Sequence, residues 1–213
     1  MRVIARAGTV LDADLSVRDL FAAPTVRDLA VLSVSKGKAL APIVAVVPRP
    51  ERVPLSFAQQ RMWFINQFDP AAATYNIPAV LCLTGDLDVA ALRAAVVDVV
   101  ARHEVLRTRF PAVEGVPFQQ VASLDEVEAD LDWAVVDSQA DIESAVITGF
   151  DVAAEYPLRA RLWPVGDDEF VLAVVVHHIA ADGESMGPLV TDVVTAYAAR
   201  AAGDAPVFAP LAV

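Results

Sequence analysis

A single cysteine, Cys82, leaves the chain without an intrachain disulfide and without a thiolate cluster for a metal. Long hydrophobic runs are missing too. No uncharged apolar stretch approaches the ~18 residues that span a bilayer, although the mean hydropathy is +0.48. That apolarity is Ala and Val spread through amphipathic patterns. The opening MRVIARAGTVLDADLS lacks the shape of a signal peptide, because its apolar run is short and acidic residues follow soon after. Cytoplasm is the expected compartment, with no membrane as partner. Basic residues are scarce: 16 Lys and Arg stand against 28 Asp and Glu, a net charge of −12. Nucleic acid and anionic surfaces need a concentrated basic face, so neither is an expected partner.

What is present is enough apolar material for a large core: 56% of 213 residues are hydrophobic. Length allows one large domain, or one domain and a fragment. Residues 1–35 read as short helices, with a break at Pro24 and Thr25 placed to cap a helix whose apolar face includes Val26, Leu29 and Leu32. Residues 36–52 hold Pro42, Pro48 and Pro50, with Pro54 just beyond, and read as an extended linker. From residue 53 the pattern is mixed. SFAQQRMWFINQF reads as a helix capped by Ser56, with Ala58, Met62 and Ile65 on one face. IPAVLCLTG and LDWAVVD read as strands, and ADIESAVITGF as a short helix. The steps Val89, Leu92, Val96, Val99 and His103 predict a long helix with His103 on its apolar stripe. Hairpins are expected to turn at Glu114-Gly115 and around Gly166-Asp167-Asp168. A final helix, capped by Ser185, presents Met186, Leu189, Val193 and Tyr197. Frequent hairpins without a strict βαβ period point to an α+β layered sandwich.

Histidine is scarce, with three in the chain, yet two of them close the apolar run in EFVLAVVVHHIAADGES. Neighbours on a strand point to opposite faces, so His177 and His178 are poor co-ligands of one metal. One is placed to look into a packed layer and the other into a cleft. Imidazole suits proton transfer near neutral pH. Asp182, in the turn beyond, either orients a histidine or pairs with an arginine. Gly183 eases the turn into a helix whose N-terminus offers free N–H groups and a positive field. A base, a rigid turn and a helix N-terminus suit attack on a carbonyl. The bland alternative is a pair of satisfied core histidines at a strand end.

HHIAADGES resembles the HHxxxDGxS signature of condensation domains in nonribosomal peptide synthetases, within the chloramphenicol acetyltransferase-like fold. LSFAQQRMWFINQ is similar to their opening motif SxAQxRxW through Ser56, Ala58, Gln59, Arg61 and Trp63. RHEVLRTRF resembles RHExLRTxF through Arg102, His103, Glu104, Leu106, Arg107, Thr108 and Phe110. Three motifs stand in the family's order over residues 54–187. The upstream LSVRDLFAAPTVRDLA looks like the last helices of a peptidyl carrier domain whose phosphopantetheine serine lies before Met1. Two departures stand out: Val176 replaces a usual Met, and Glu184 replaces an aromatic or aliphatic residue.

The resemblance implies a domain plan of carrier end (1–35), linker (36–52) and N-terminal lobe of a condensation domain (53–213). It implies amide formation between a donor acyl thioester and an acceptor amine, each delivered on a carrier's phosphopantetheine arm, with no cofactor bound by this chain. His178 faces the tunnel as base or positioning group, and His177 is structural. Gly183 helps to stabilise the oxyanion through its N–H. Asp182 pairs with Arg107 to brace the loop. Arg61 and Trp63 anchor the first helix, and His103 is a core residue. TYNIP, with the opening motif, looks like the elongation type that joins two L-configured residues. Expected partners are donor and acceptor carrier domains, an adenylation domain and a second lobe, without which the chain is expected to be inactive. Rivals are a free-standing acyltransferase of the same fold, an epimerisation domain, and a docking piece without turnover.

Overall fold

The computed structural model describes residues 2–37, 44 and 46–211. Residues 38–43 and 45, inside the expected linker, lie outside the described residues. Two compact units divide the chain, the first running to Pro48 and the second spanning Arg49–Pro210. Among the described residues no helix is long and apolar enough to cross a membrane.

The first unit holds α1 (Arg2–Leu11), α2 (Val17–Ala22) and α3 (Val26–Ser35). Free N–H groups at helix starts need acceptors, and local side chains supply them. Ser16 caps α2 in a reciprocal box with Asp19, and Thr25 accepts from the Asp28 N–H at 3.1 Å. Lys36 lies 2.8 Å from Asp19 and, with Ser16, holds that carboxyl well below the usual carboxylate range. Of the expected face on α3, Leu29 and Leu32 are half-buried. Val26 is 88% exposed instead, because its place in the first turn lifts it off the small core of Ile4, Ala13 and Ala23.

The second unit is built on a four-stranded sheet ordered β2-β8-β7-β6, from β2 (Asn76–Thr84), β6 (Asp132–Val135), β7 (Leu158–Pro164) and β8 (Glu169–His177). β8 pairs antiparallel with both β2 and β7. β6 runs parallel to β7, which requires a crossover, and α7 (Gln139–Ile147) provides it. One face carries α5 (Val89–Arg102) and α8 (Gly183–Ala201): Leu92, Val96, Val99 and Leu189 pack on Leu172, Val174 and Val176. On the other face, Met62 and Trp63 of α4 (Phe57–Phe68) and Val146 of α7 pack on Phe110, Phe150 and Val175. Helices on both sides explain why β8 reads as an unbroken apolar run. The α+β layered expectation is therefore met.

Both expected hairpins are present. Glu114 and Gly115, at φ 54° and 78°, form the two-residue turn between β4 (Ala112–Val113) and β5 (Val116–Val121), the left-handed geometry that such turns demand. β5 also pairs with β1 (Val53–Pro54) and β3 (Thr108–Arg109); α6 (Leu124–Asp130) follows it. The α4 face differs from the expected one: Ala58 is exposed and Asn66 is buried. Asn66 is accommodated because its amide donates to the Phe150 carbonyl at 2.7 Å and accepts from the Val152 N–H at 3.4 Å.

The end of α7 is clamped. Its last carbonyls have no partner within the helix. Buried Arg159 donates to Ala145 and Thr148 at 3.2 and 3.1 Å, and the Asn76 amide donates to Val146 and Thr148 at 2.8 Å each. Gly149, directly after, sits so close to the 70–71 backbone that a Cβ would lie 2.2 Å from the Pro70 carbonyl oxygen. Gly149→Ala should therefore destabilise the second unit by about 1–3 kcal/mol, the usual cost of overpacking. Urea unfolding of the two proteins measures it; equal midpoints would refute the close approach.

Candidate functional site

β8 hands the chain from sheet to site. His177 is its last paired residue: its N–H donates to the Pro157 carbonyl at 3.0 Å, and its register partner across β2 is Asn76. Strand alternation puts it on the α4–α7 side with Val175, at 1% exposure. Rings of Tyr75 and Phe150 lie 6.3 and 6.1 Å from it, centre to centre. Its Nδ1 accepts the Ile179 N–H at 3.1 Å, so the neutral ring carries its proton on Nε2. Burial, helped by the neighbouring His178, pushes its pKa down to about 4.

His178 is exposed. Its backbone N–H donates to the Tyr75 carbonyl at 2.8 Å. Its ring Nδ1 lies 2.8 Å from the Ala181 carbonyl oxygen. A carbonyl can only accept, so Nδ1 is protonated and Nε2 of the neutral ring holds a free lone pair. The two adjacent histidines are thus fixed in opposite tautomers. His178 lines a cleft of about 410 Å³ with Ser56, Gln59 and Met62 of α4 on one side and Asp182 and Ser185 on another. The sequence expectation of one histidine in a packed layer and one in a cleft matches this arrangement.

Three expectations need correction. Asp182 does not pair with Arg107. Its Oδ1 accepts from the Ser185 N–H at 3.0 Å and from the Ser185 hydroxyl at 2.6 Å, while the Ser185 hydroxyl accepts the Asp182 N–H at 3.1 Å. Asp182 is therefore the N-cap of α8, with Ser185, the expected cap, as its partner in the box. Those bonds from Ser185 hold the Asp182 carboxyl below its usual range. Arg107 faces away, donating to the Ala122 carbonyl and meeting Glu104 at 3.4 Å. Gly183 needs no conformational freedom: its φ is not left-handed and a Cβ there would meet nothing within 4 Å. His103 is no core residue. It ends α5 half-buried, with Nε2 2.7 Å from Asp192 of α8, beside Arg102 at 2.9 Å from the same oxygen. Helical periodicity placed it on an apolar stripe; the helix ends there, and its side chain reaches the facing helix. Trp63 does anchor α4, donating from Nε1 to the Phe110 carbonyl at 2.8 Å. Arg61 is exposed.

A family model described as "Condensation domain" matches residues 50–212. The chain is 48% identical over 216 residues to the "Probable non-canonical nonribosomal peptide synthetase (NRPS) CymA" of Salinispora arenicola, with all of this chain and 3% of that protein covered. It is 42% identical over 215 residues to the dimodular nonribosomal peptide synthase of Bacillus subtilis, covering all of this chain and 9% of that one. The chain thus spans less than a tenth of these curated relatives. A solved complex of the X-domain and OxyB from teicoplanin biosynthesis matches with a TM-score of 0.72 at 37% identity, over 82% of this chain and 38% of that chain.

The geometry yields two expected outcomes. Asp182→Ala should lower the melting temperature only modestly, as one lost helix cap does, and Asp182→Asn should leave it unchanged because Asn caps as well. A large loss in both would restore an ion-pair role. For His177, the folded pKa of about 4 lies below the unfolded 6.5. The unfolded chain therefore binds more protons between those values. Stability is full above pH 6.5 and falls as pH drops toward 4. His177→Gln should flatten that part of the pH–stability curve relative to the parent protein; an unchanged slope would show that His177 titrates normally.

Proposed function

The chain belongs to the condensation-domain family of nonribosomal peptide synthetases, and from that premise we propose that its histidine cleft is where a carrier-bound acceptor amine attacks a carrier-bound acyl thioester. The observation that carries the reading is the tautomer of His178. Its Nδ1–H is committed to Ala181, which leaves the Nε2 lone pair as the group able to take a proton in the cleft. In the reaction the amine nitrogen bonds to the thioester carbon, and the carbonyl oxygen gains negative charge. The C–S bond then breaks, and the proton released by the amine passes through Nε2 to the departing sulfur. Because a thioester is already activated, holding the amine at Nε2 within bonding distance supplies much of the rate as well.

Gly183 is the proposed oxyanion donor. As the first residue of α8 its N–H has no intrahelical partner, and the helix field favours negative charge there. His177, Asp182 and Arg107 support the site: His177 by filling the layer, Asp182 by fixing where α8 starts, and Arg107 by tying the 104–107 turn to Ala122.

The remaining organisation belongs to the same proposal. Residues 1–35 form the end of a carrier domain, 36–52 a linker and 53–213 the N-terminal lobe of an elongation-type domain joining two L-configured residues. Donor and acceptor carriers bring substrates on phosphopantetheine arms that this chain does not bind as a cofactor. A second lobe closes the cleft, an adenylation domain loads the carriers, and the assembly works in the cytoplasm. A protein-docking role without turnover is the second reading, favoured by the likeness to the X-domain that was solved with OxyB.

In a domain completed with its second lobe, His178→Ala should cut amide formation by about 10²–10⁴-fold, the range for a positioned general base, with the fold intact. His177→Ala should instead lose stability. Wild-type rates in a folded His178→Ala protein would favour the docking role. Gly183 allows a cleaner separation. Proline is welcome at the first position of a helix, and Asp182 before it is extended at φ −137° and ψ −176°, as proline requires. Gly183→Pro should keep the fold but lose about 10²–10³-fold in rate with the missing donor, whereas Gly183→Ala keeps both. Equal rates in all three proteins would remove Gly183 from the mechanism.

A further inference from the structure

TYNIP contributes nothing to the chemistry above, yet its Tyr75 ring neighbours both histidines and its Asn76 stands opposite His177 in the sheet. The pairing of β2 with β8 runs to Asn76 opposite His177. One step further, beyond the end of β8, the His178 N–H still donates to the Tyr75 carbonyl at 2.8 Å. The backbone of the exposed histidine is thus held by a ladder bond that outlasts its strand. In such a ladder, directly opposed side chains lie close enough to interact. The Tyr75 ring is centred 6.5 Å from the His178 imidazole, at 62° to it, and 6.3 Å from that of His177. Edge-on rings at this separation attract.

The backbone beside Tyr75 is anchored through its neighbour. The Asn76 amide nitrogen donates to both Val146 and Thr148 carbonyls, which also fixes which end of that amide is nitrogen. This ties the first residue of β2 to the end of α7, where Arg159 holds the neighbouring carbonyls. Tyr75 is half-buried, and among the described residues its hydroxyl makes no hydrogen bond.

We propose that Tyr75, anchored through Asn76 to the end of α7, is a positioning residue that keeps the His178 imidazole in the single orientation where Nδ1–H meets Ala181 and Nε2 faces the cleft. The proposal rests on the reading of His178 as the base or positioning group. Two restraints act on that ring: a hydrogen bond at Nδ1 and an aromatic neighbour. An exposed imidazole with the hydrogen bond alone can rotate about its side-chain bonds, exchange Ala181 for water and return in the other tautomer. The ring of Tyr75, centred 6.5 Å away, flanks the imidazole on one side and restricts that rotation in the proposed role. What matters is the ring, not the hydroxyl.

The test is nitrogen-15 NMR of the histidine side chains in this chain, which needs no substrate. In the parent protein, His178 should show the widely separated nitrogen shifts of one neutral tautomer protonated at Nδ1. Tyr75→Ala should collapse that separation toward the average of exchanging tautomers, and Tyr75→Phe should restore it. Tyr75→Leu, which keeps apolar volume without a ring, is read in the same way should the alanine protein unfold. A completed domain carrying Tyr75→Ala should lose up to about 100-fold in kcat, the scale of a reacting group displaced by 1 Å, with donor KM unchanged. Unaltered His178 shifts in the folded alanine or leucine protein would overturn the proposal, as would a phenylalanine protein as disturbed as the alanine one. The two claims fail separately. If Tyr75 controls the shifts but His178→Ala condenses at the wild-type rate, the placement stands and the proposed reaction falls.

Discussion

β8 hydrogen-bonds to β2 on one side and β7 on the other, and the ladder on the β7 side ends with the His177 N–H on the Pro157 carbonyl. Everything at the site follows from where that central strand stops. Because side chains alternate along it, the last paired residue is committed to the inner layer. The next residue, beyond the end of β8 but still held by its N–H on the Tyr75 carbonyl, is turned outward into the cleft. A shift of register by one residue would exchange the two histidines. It would also exchange Leu172, Val174 and Val176 with Val175 between two differently shaped cores, so packing on both faces holds the register.

The histidines are differentiated by their acceptors and donors as much as by burial. An amide N–H at Nδ1 of His177 leaves a protonated Nε2, and a carbonyl at Nδ1 of His178 leaves a bare Nε2. Both partners are backbone groups of the short 179–181 turn. That turn is held at its far end by the reciprocal bonds between Asp182 and Ser185, which fix where α8 begins. Asp182 thus acts through geometry: it fixes the end of the turn, and the turn supplies the backbone partners of both rings.

Charges are spent mainly on holding helices in place. Arg102 and His103 at the end of α5 meet Asp192 of α8, and Arg200 near the end of α8 returns two bonds of 2.7 Å to Asp98 of α5. These pairs tie α5 to α8 beside the apolar seam between the two helices. Arg159 does comparable work on the other face, stacked 4.4 Å over the Phe150 ring and bonded to Asp132 at 2.7 Å. An overall charge of −12 therefore coexists with arginines largely engaged in intramolecular bonds.

The sequence by itself determined the two sheets' hairpins, the long helix from Val89 and the placement of two histidines at the end of a doubly covered strand. These are set by short-range rules: period, turn residues and alternation. It also carried the three motifs that announce the family. The partners of Asp182, Arg107 and His103 were decided only in three dimensions. A carboxylate one residue before a helix can serve a distant arginine or the N–H groups three residues on, and the pattern DGES is compatible with both. Which wins depends on where Arg107 lies once the 104–107 turn has docked on Ala122. In the same way, period alone placed His103 in a core, but the facing helix brought Asp192 to it. The role of Tyr75 was hidden for the same reason. Its neighbour His178 is about a hundred residues away along the chain, and only the register between β2 and β8 brings the two together.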